Sequence, residues 1–153
     1  MQIIRRRVDE LAKDPKNRRL HDSRNIEAIK ESLKEFGQQK PIVVDPKDKV
    51  VAGNGTLEAA SQLGWTEIDT VSTKLRGVKQ RRYSAADNRT AELAKWDVEG
   101  LVKDHKHPDY RVPGFTSGDI QRMTKKASEA TDKPKQKIHV TMTCPSCGHE
   151  WDR

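Results

Sequence analysis

The stretch VVAGNGTLEAASQLG, residues 50–64, joins an apolar strand to a small-residue helix through a Gly-Asn-Gly-Thr turn. The first backbone N–H groups of a helix have no partner inside the helix, and the helix dipole makes that end positive. Such an end binds phosphate readily. Gly53 and Gly55 permit a positive φ and close approach of a ligand, while Asn54 and Thr56 add side-chain donors. Two interpretations stand at this point: a phosphate site, or a tight corner that needs its glycines for steric reasons alone.

A second group of chemically capable residues lies in the segment CPSCGH near the C-terminus. Cys144 and Cys147 have the C-x₂-C spacing with which two thiolates grip one Zn²⁺ ion. Zinc takes four ligands, and the sequence has no second complete knuckle, so the others would be His149 and His139 or a pair from a second chain. Zinc binding, a degenerate ribbon with free thiols, and a redox C-x-x-C pair all stand as interpretations.

The charge of the chain is positive and unevenly distributed. The formal net charge is +7 over 153 residues, and residues 1–95 hold 20 Lys and Arg against 14 Asp and Glu. Such an excess favours contact with polyanions, nucleic acid first, and a merely solvated surface is the alternative. The basic clusters give the predicted nucleic-acid contacts: Arg5, Arg6, Arg7, Arg18, Arg19, Arg76, Lys79, Arg81 and Arg82.

Hydrophobic periodicity predicts alternating helices and short strands. The predicted order is a helix NIEAIKESLKEFG, a hairpin of PIVVD and VVAG, a helix GTLEAASQLG, a strand in WTEIDTVSTKL, a helix from Val78 with a break near Asp87–Asn88, and short helices in DVEGLVKDH and TSGDIQRM. Residues 125–137 contain no large apolar residue and predict a flexible linker. The division is therefore a domain over 1–124, a linker over 125–137 and a knuckle-like tail over 138–153.

This order of elements resembles the N-terminal domain of ParB-type partition proteins and sulfiredoxins over roughly residues 8–105. The opening DPKNRRLHDSRNIEAIKESLKEFGQQKPIVVD looks like the ParB lead-in, and ADNRTAELAKWD has near counterparts in short phage ParB-like proteins and in segments attached to DNA methyltransferases. The resemblance implies an α/β (α+β) fold with a small mixed sheet and flanking helices. A short β-knuckle at the C-terminus completes the predicted architecture.

The resemblance also implies a site. In that family the strand–helix turn carries a glycine-x-x-arginine motif that holds nucleotide phosphates, those of CTP in ParB proteins and of ATP in sulfiredoxin. A later asparagine-containing helix motif helps to hold the phosphates and a magnesium ion. The glycine maps onto Gly53, the arginine position falls on Thr56, and the helix motif maps onto Asp87, Asn88 and Arg89.

The threonine at position 56 removes the usual cation from this turn. Charge-assisted hydrogen bonds are about twice as strong as neutral ones, so triphosphate binding is expected to be weaker unless Arg89, Arg81 or Arg82 substitutes. Loss of nucleotide chemistry in this branch is the alternative. The catalytic cysteine that sulfiredoxin carries within the same turn is absent from residues 53–56, so sulfiredoxin activity is rejected.

These observations predict a DNA-associated, ParB-like protein of phage or mobile-element type that binds nucleic acid and a nucleotide phosphate. The alternatives are a metal- or nucleotide-dependent enzyme (a nuclease, triphosphatase or kinase) and a non-catalytic module of a DNA-modifying or packaging machine. The candidate cofactors are CTP or ATP with Mg²⁺, and Zn²⁺ at the knuckle; the candidate partners are DNA and a second copy of the chain. No run of residues is long and apolar enough for a membrane span or signal peptide, so a soluble protein of the bacterial cytoplasm is expected.

Overall fold

A four-stranded mixed sheet forms the centre of the computed structural model, which describes residues 2–131, 141–143 and 150–152. The central strand β4 pairs antiparallel with β1 on one side and parallel with β2 on the other. Strand β2 also forms an antiparallel hairpin with β3, so the spatial order is β1-β4-β2-β3. The four strands are β1 (Ile3–Arg7), β2 (Ile42–Val44), β3 (Val50–Ala52) and β4 (Glu67–Ser72). The mixed sheet and the hairpin confirm the predicted fold class.

Five helices surround this sheet in the described part of the chain. Helices α1 and α2 pack against each other, and α3 contacts β3. The helices are α1 (Ser23–Phe36), α2 (Asn54–Gln62), α3 (Gly77–Leu93), α4 (Val98–Asp104) and α5 (Ser117–Thr131). Near the C-terminus β5 (Thr141–Thr143) and β6 (Glu150–Asp152) form a separate antiparallel pair.

The hydrophobic core lies between the sheet and the first two helices. Helix α1 begins because the Asp22 carboxylate accepts a hydrogen bond of 2.7 Å from the Asn25 amide, and it buries Ile26 and Leu33 on one stripe. The residues buried with them come from β2, β3, α2 and β4, and include Ile42, Val44, Val50, Leu57, Ala59, Ala60 and Ile68. The core therefore fixes β3 and α2, and with them the turn between the two.

Two expectations about the elements need correction. Helix α3 runs without a break past Asp87 and Asn88, and the Asn88 side chain donates a hydrogen bond of 2.8 Å to the carbonyl of Ser84 in its own helix. Helix α5 continues through Thr131, so residues 125–131 are helical although the sequence predicts a linker there. An existing helix extends at little cost through residues such as Lys and Ala, since each added residue contributes a hydrogen bond.

One strand is not predicted from the sequence, and the predicted zinc site lies outside the described residues. The segment Ile3–Arg7 forms β1, whereas the sequence predicts only a basic cluster at Arg5–Arg7. Cys144, Cys147, His149 and His139 lie outside the described residues, as do residues 132–137 of the predicted linker. Zinc binding and the three-part division of the chain therefore stay predictions.

Candidate anion-binding cleft

Gly53 sets the geometry of the strand–helix turn. It is the N-cap of α2 with φ 97° and ψ 26°, a left-handed conformation that favours glycine. A Cβ atom at this position would lie 2.5 Å from Cγ2 of Ile42, so the neighbouring strand leaves no space for a side chain. The Leu57 amide donates the first intrahelical bond to the Gly53 carbonyl at 3.0 Å, and no side chain caps the helix. The N–H groups of Asn54, Gly55 and Thr56, which come before Leu57, therefore have no hydrogen-bond partner within the helix.

The two residues after Gly53 have roles that the sequence does not predict. Asn54 is buried, and its Oδ1 accepts a hydrogen bond of 2.9 Å from the Asp14 amide, which ties the lead-in segment 12–22 to α2. Gly55 has ordinary helical backbone, so the expectation of a positive φ there is wrong. Its missing side chain makes room for the imidazole of His21, whose Cε1 lies 2.7 Å from the place that a Cβ of Gly55 would take.

His21 is half-buried against this turn, although its sequence context suggests a surface residue. Its Nδ1 lies 2.6 Å from Oδ1 of Asn25 in the first turn of α1. Because an amide oxygen only accepts, Nδ1 is the donor in this pair. The lead-in segment is thus held between α1 and α2, beside the start of α2.

The predicted turn and the predicted helix motif line one cavity of about 170 Å³. The turn contributes residues 53–56, and α3 contributes Ser84, Asp87 and Asn88. The lead-in segment contributes Asn17, Arg19 and His21, of which the sequence predicts only Arg19, and then as a nucleic-acid contact. We call this cavity the turn lobe. Asn17, Arg19 and His21 lie within the stretch that resembles the ParB lead-in. That resemblance could have drawn attention to the segment, but the sequence does not show which of its side chains reach the turn.

A second cavity of about 350 Å³ adjoins the turn lobe and shares Asn17, Arg19, Ser84 and Asn88 with it. We call it the basic lobe, and the two lobes together form the cleft. Arg89 lines the basic lobe and not the turn lobe, so the helix motif 87–89 is divided between them. The charged residues of the basic lobe are Lys16, Arg18, Arg19, Arg81 and Arg89 with Asp14 and Glu92.

The charges inside the cleft are partly paired. Glu92 accepts hydrogen bonds from Arg19 through Oε1 and from Arg89 through Oε2, the latter at 3.3 Å. The bonds from Arg89 and Arg19 lower the pKa of the Glu92 carboxyl. On α3, burial raises the pKa of the Tyr83 phenol, and the carboxylate of Asp87 adds to this rise.

The remaining predicted nucleic-acid contacts lie outside the cleft. On β1, Arg5 pairs with Asp69 at 3.1 Å, Arg6 with Asp48 at 3.2 Å, and Arg7 with Asp9 at 2.5 Å. Near the start of α3, the N-cap residue Arg76 and the helical residues Lys79 and Arg82 are exposed. Within the described part of the chain these three have no ion-pair partner, in contrast to the β1 arginines.

Trp65 and Tyr83 lie near the basic clusters in the sequence and could stack on nucleic-acid bases if they were exposed. Trp65 is partly buried and packs against the hydrophobic core, and Tyr83 is half-buried on α3. Among the described residues, the exposed cations at the start of α3 are thus a cluster of unpaired positive charge outside the cleft.

The described residues form neither a cluster of metal ligands nor a helix that could span a membrane. No group of three or more His, Cys, Asp and Glu side chains is close enough there to hold a metal ion. None of the described helices combines the length and the apolar composition that crossing a bilayer requires.

Residues 2–95 match the ParB N-terminal domain family. The chain belongs to this family. The ParB-like nuclease domain-containing protein YnaK of Escherichia coli (strain K12) is 30% identical over 71 residues, which are 46% of this chain and 82% of YnaK. The family match confirms the resemblance that the sequence motifs indicate.

Solved structures of ParB-type proteins have the same fold. The C-terminally truncated chromosome-partitioning protein ParB from Caulobacter crescentus, complexed with CTP-γ-S, superposes with a TM-score of 0.66 at 19% identity and covers 84% of this chain and 79% of its own. Sulfiredoxin from Arabidopsis thaliana matches 56% of this chain and 98% of its own, at 19% identity and a TM-score of 0.45. The likeness to the Caulobacter ParB places the mixed sheet and its helices in the ParB fold.

Proposed function

We propose that this ParB-family chain binds the phosphate groups of a nucleotide in the cleft. The observation that carries the proposal is that the uncapped start of α2 and the α3 residues Asp87 and Asn88 line one cavity. Unpaired amides and the positive end of the helix dipole favour an anion there. The complex of the Caulobacter ParB with CTP-γ-S supports a nucleoside triphosphate as the ligand class.

The cations for such a ligand come from the basic lobe rather than from the turn. Thr56 is half-buried and carries no charge, so it supplies at most a hydroxyl to a phosphate. Arg19 lines both lobes, and Arg81 and Arg89 line the basic lobe beside it. A phosphate chain that starts at the α2 amides and extends into the basic lobe meets these guanidinium groups, which suit bidentate phosphate binding.

Asp87 and Asn88 fit a magnesium ion that accompanies the nucleotide. The Asn88 Nδ2 is used in the bond to Ser84, so Oδ1 is the atom that remains for a cation. Mg²⁺ is commonly held by one or two protein oxygens together with substrate phosphates and water, so a large carboxylate cluster is not needed. When bound, the ion would offset phosphate charge, while Asp87 and Asn88 would hold it beside the turn.

Nucleotide binding is tested by thermal denaturation with CTP, ATP and GTP, each with and without Mg²⁺. We expect at least one nucleotide to raise the melting temperature of the wild type, because a ligand of the native state stabilises it. Asn88→Ala should weaken that ligand about tenfold or more, the usual cost of a lost bond to a charged group. Thr90→Ala is the matched control, since Thr90 lies on the same helix, is exposed and lines neither lobe.

Two results would contradict the proposal: no nucleotide shifts the melting temperature, or Asn88→Ala binds as well as Thr90→Ala. A phosphate-release assay on the same samples separates binding from turnover. Metal-dependent release that Asn88→Ala abolishes would favour the enzyme alternative. Binding without release would favour a nucleotide-binding DNA-associated protein.

We also propose that the chain associates with DNA, in the phage or mobile-element setting that its sequence features favour. Arg76, Lys79 and Arg82 at the start of α3 support this proposal, because they are exposed and have no ion-pair partner among the residues that the structure describes. They carry no sequence-reading geometry, so the expected binding is to the phosphate backbone. Electrophoretic mobility shifts of a mixed-sequence duplex should appear at low salt and weaken steeply as salt rises. Absence of a shift at low salt would contradict the proposal.

A further inference from the structure

Glu92 forms ion pairs with arginines from both segments that line the basic lobe, the lead-in segment and α3. Its carboxylate accepts from Arg19 of the lead-in segment and from Arg89 one turn earlier on α3. The other acid of this lobe, Asp14, lies 3.7 Å from Lys49, which lines neither lobe. Glu92 is therefore the group that neutralises Arg19 and Arg89, two of the arginines of the cleft.

These ion pairs are open to water. The side chain of Glu92 is 39% exposed and that of Arg19 is 47% exposed. An ion pair between exposed groups changes an equilibrium constant by no more than about fivefold, so little stability opposes its exchange for another anion. A phosphate group with more than one negative charge is a stronger partner for a guanidinium than one carboxylate.

Arg19 connects this pair to the turn. Its side chain lines the turn lobe, where the α2 amides begin, as well as the basic lobe, where Glu92 lies. The guanidinium of Arg19 is consequently close both to the carboxylate of Glu92 and to the place of an anion at the turn. The absence of an arginine at position 56 makes this closeness matter, because the turn itself supplies no cation.

We propose that Glu92 is an internal competitor of the anion that the cleft binds. This inference rests on the proposed function. In the ligand-free chain Glu92 neutralises Arg19 and Arg89, and a polyphosphate displaces it and takes over the guanidinium of Arg19. Glu92 thus lowers the affinity of the cleft for an anion that needs the guanidinium of Arg19.

Isothermal titration calorimetry of the full chain with inorganic tripolyphosphate at about 0.15 M salt, where the Debye length is about 8 Å, tests the inference. Glu92→Gln should bind about three- to fivefold more tightly than the wild type, the worth of the exposed pair it removes. Glu35→Gln is the control for net charge, since it removes the same charge from an exposed position of α1 that lines neither lobe. It should bind within about twofold of the wild type, because exposed charges beyond a Debye length are screened.

A second pair of variants tests the role of Arg19. In the Arg19→Gln background the gain from Glu92→Gln should largely disappear, since coupled residues give non-additive effects. Persistence of the full gain there would overturn the assignment of Arg19 as the contested cation. Circular dichroism of each variant checks that the fold is intact, which the exposure of the pair leads us to expect.

The outcomes separate the inference from the function on which it rests. If the wild type binds tripolyphosphate but Glu92→Gln binds no better than Glu35→Gln, the competitor role is wrong and the anion site stands. Weaker binding by Glu92→Gln would show that Glu92 positions Arg19 for the ligand, which also overturns the inference. If neither the wild type nor Glu92→Gln binds, the inference and the proposed phosphate site both fail.

Discussion

The two glycines of the turn show how one sequence pattern can contain two different physical requirements. Gly53 is needed for its left-handed backbone and for its contact with Ile42. Gly55 is needed because the ring of His21 takes the place of a side chain. The first glycine shapes the start of α2, and the second allows the lead-in segment to lie against it.

Replacing Gly53 by alanine should be costly for stability. A left-handed φ costs a non-glycine residue about 1 to 2 kcal/mol, and the clash with Ile42 adds an overpacking cost of about 1 to 3 kcal/mol. We expect Gly53→Ala to lower the free energy of unfolding by about 2 to 4 kcal/mol, measured by urea denaturation. Gly64→Ala is the matched control, because Gly64 has φ 74° and a Cβ added there would have no atom within 4 Å. Equal losses in both variants would show that the contact with Ile42 is not a constraint.

At the residue scale, the sequence predicts the turn and the α3 motif that line the cleft, but it does not predict the lead-in side chains that lie beside them. The family resemblance locates Gly53 and Asn88, since both lie in recognisable motifs. The presence of Arg19 and His21 beside them depends on how the lead-in segment folds back, and the bond from Asp14 to Asn54 that holds it is a long-range contact. Local patterning carries no information about such a contact, so it does not predict these neighbours.

At the scale of elements, the helices and strands predicted from the sequence are found where the hydrophobic pattern is strong. Helix α1 and the hairpin β2–β3 have clear patterns and are predicted, because their buried faces are continuous. Strand β1 is not predicted because its apolar residues Ile3 and Ile4 are exposed, so its segment shows no buried alternation. Its place is fixed by backbone pairing with β4 instead, which only the folded sheet supplies.

The contact between α5 and α1 depends on the ionised form of Asp119. The Thr116 hydroxyl and amide, at 2.7 and 2.8 Å, together with Arg122 and Arg24 hold the pKa of the Asp119 carboxyl far below its usual range. A folded-state pKa below the unfolded value means that the carboxylate stabilises the fold above about pH 4 and that this stabilisation is lost as the pH falls further.

The stabilisation by the Asp119 carboxylate should be present at neutral pH and should disappear in acid. Asp119→Asn should lower the free energy of unfolding at neutral pH, and this difference from the wild type should shrink as the pH falls below about 4. Chemical denaturation across that pH range measures both. Asp109→Asn, an exposed change in the loop before α5, serves as the control and should follow the wild-type curve. A difference that stays constant with pH would show that the contacts of Asp119 do not depend on its charge.

At the scale of the whole molecule, the chain has a net charge of +7, and its described basic clusters differ in how far they are paired with acids. The arginines of β1 pair with acids of their own neighbourhood, so their field is largely neutralised locally. The cations at the start of α3 have no ion-pair partner within the described residues. Charge counting along the sequence gives both clusters equal weight, because it cannot show which basic residues fold against acids.

This difference predicts which basic cluster contacts DNA. Replacing Arg76, Lys79 and Arg82 by glutamine should lower the slope of log K against log salt by about 0.9 for each phosphate contact that is lost. Replacing Arg5–Arg7 by glutamine removes the same formal charge but should change the slope much less, because those groups already have carboxylate partners. Fluorescence anisotropy with a short mixed-sequence duplex over a series of salt concentrations gives both slopes. A larger effect from the β1 variant would mean that DNA displaces its acids, and it would assign the DNA-binding surface to the edge of the sheet instead of α3.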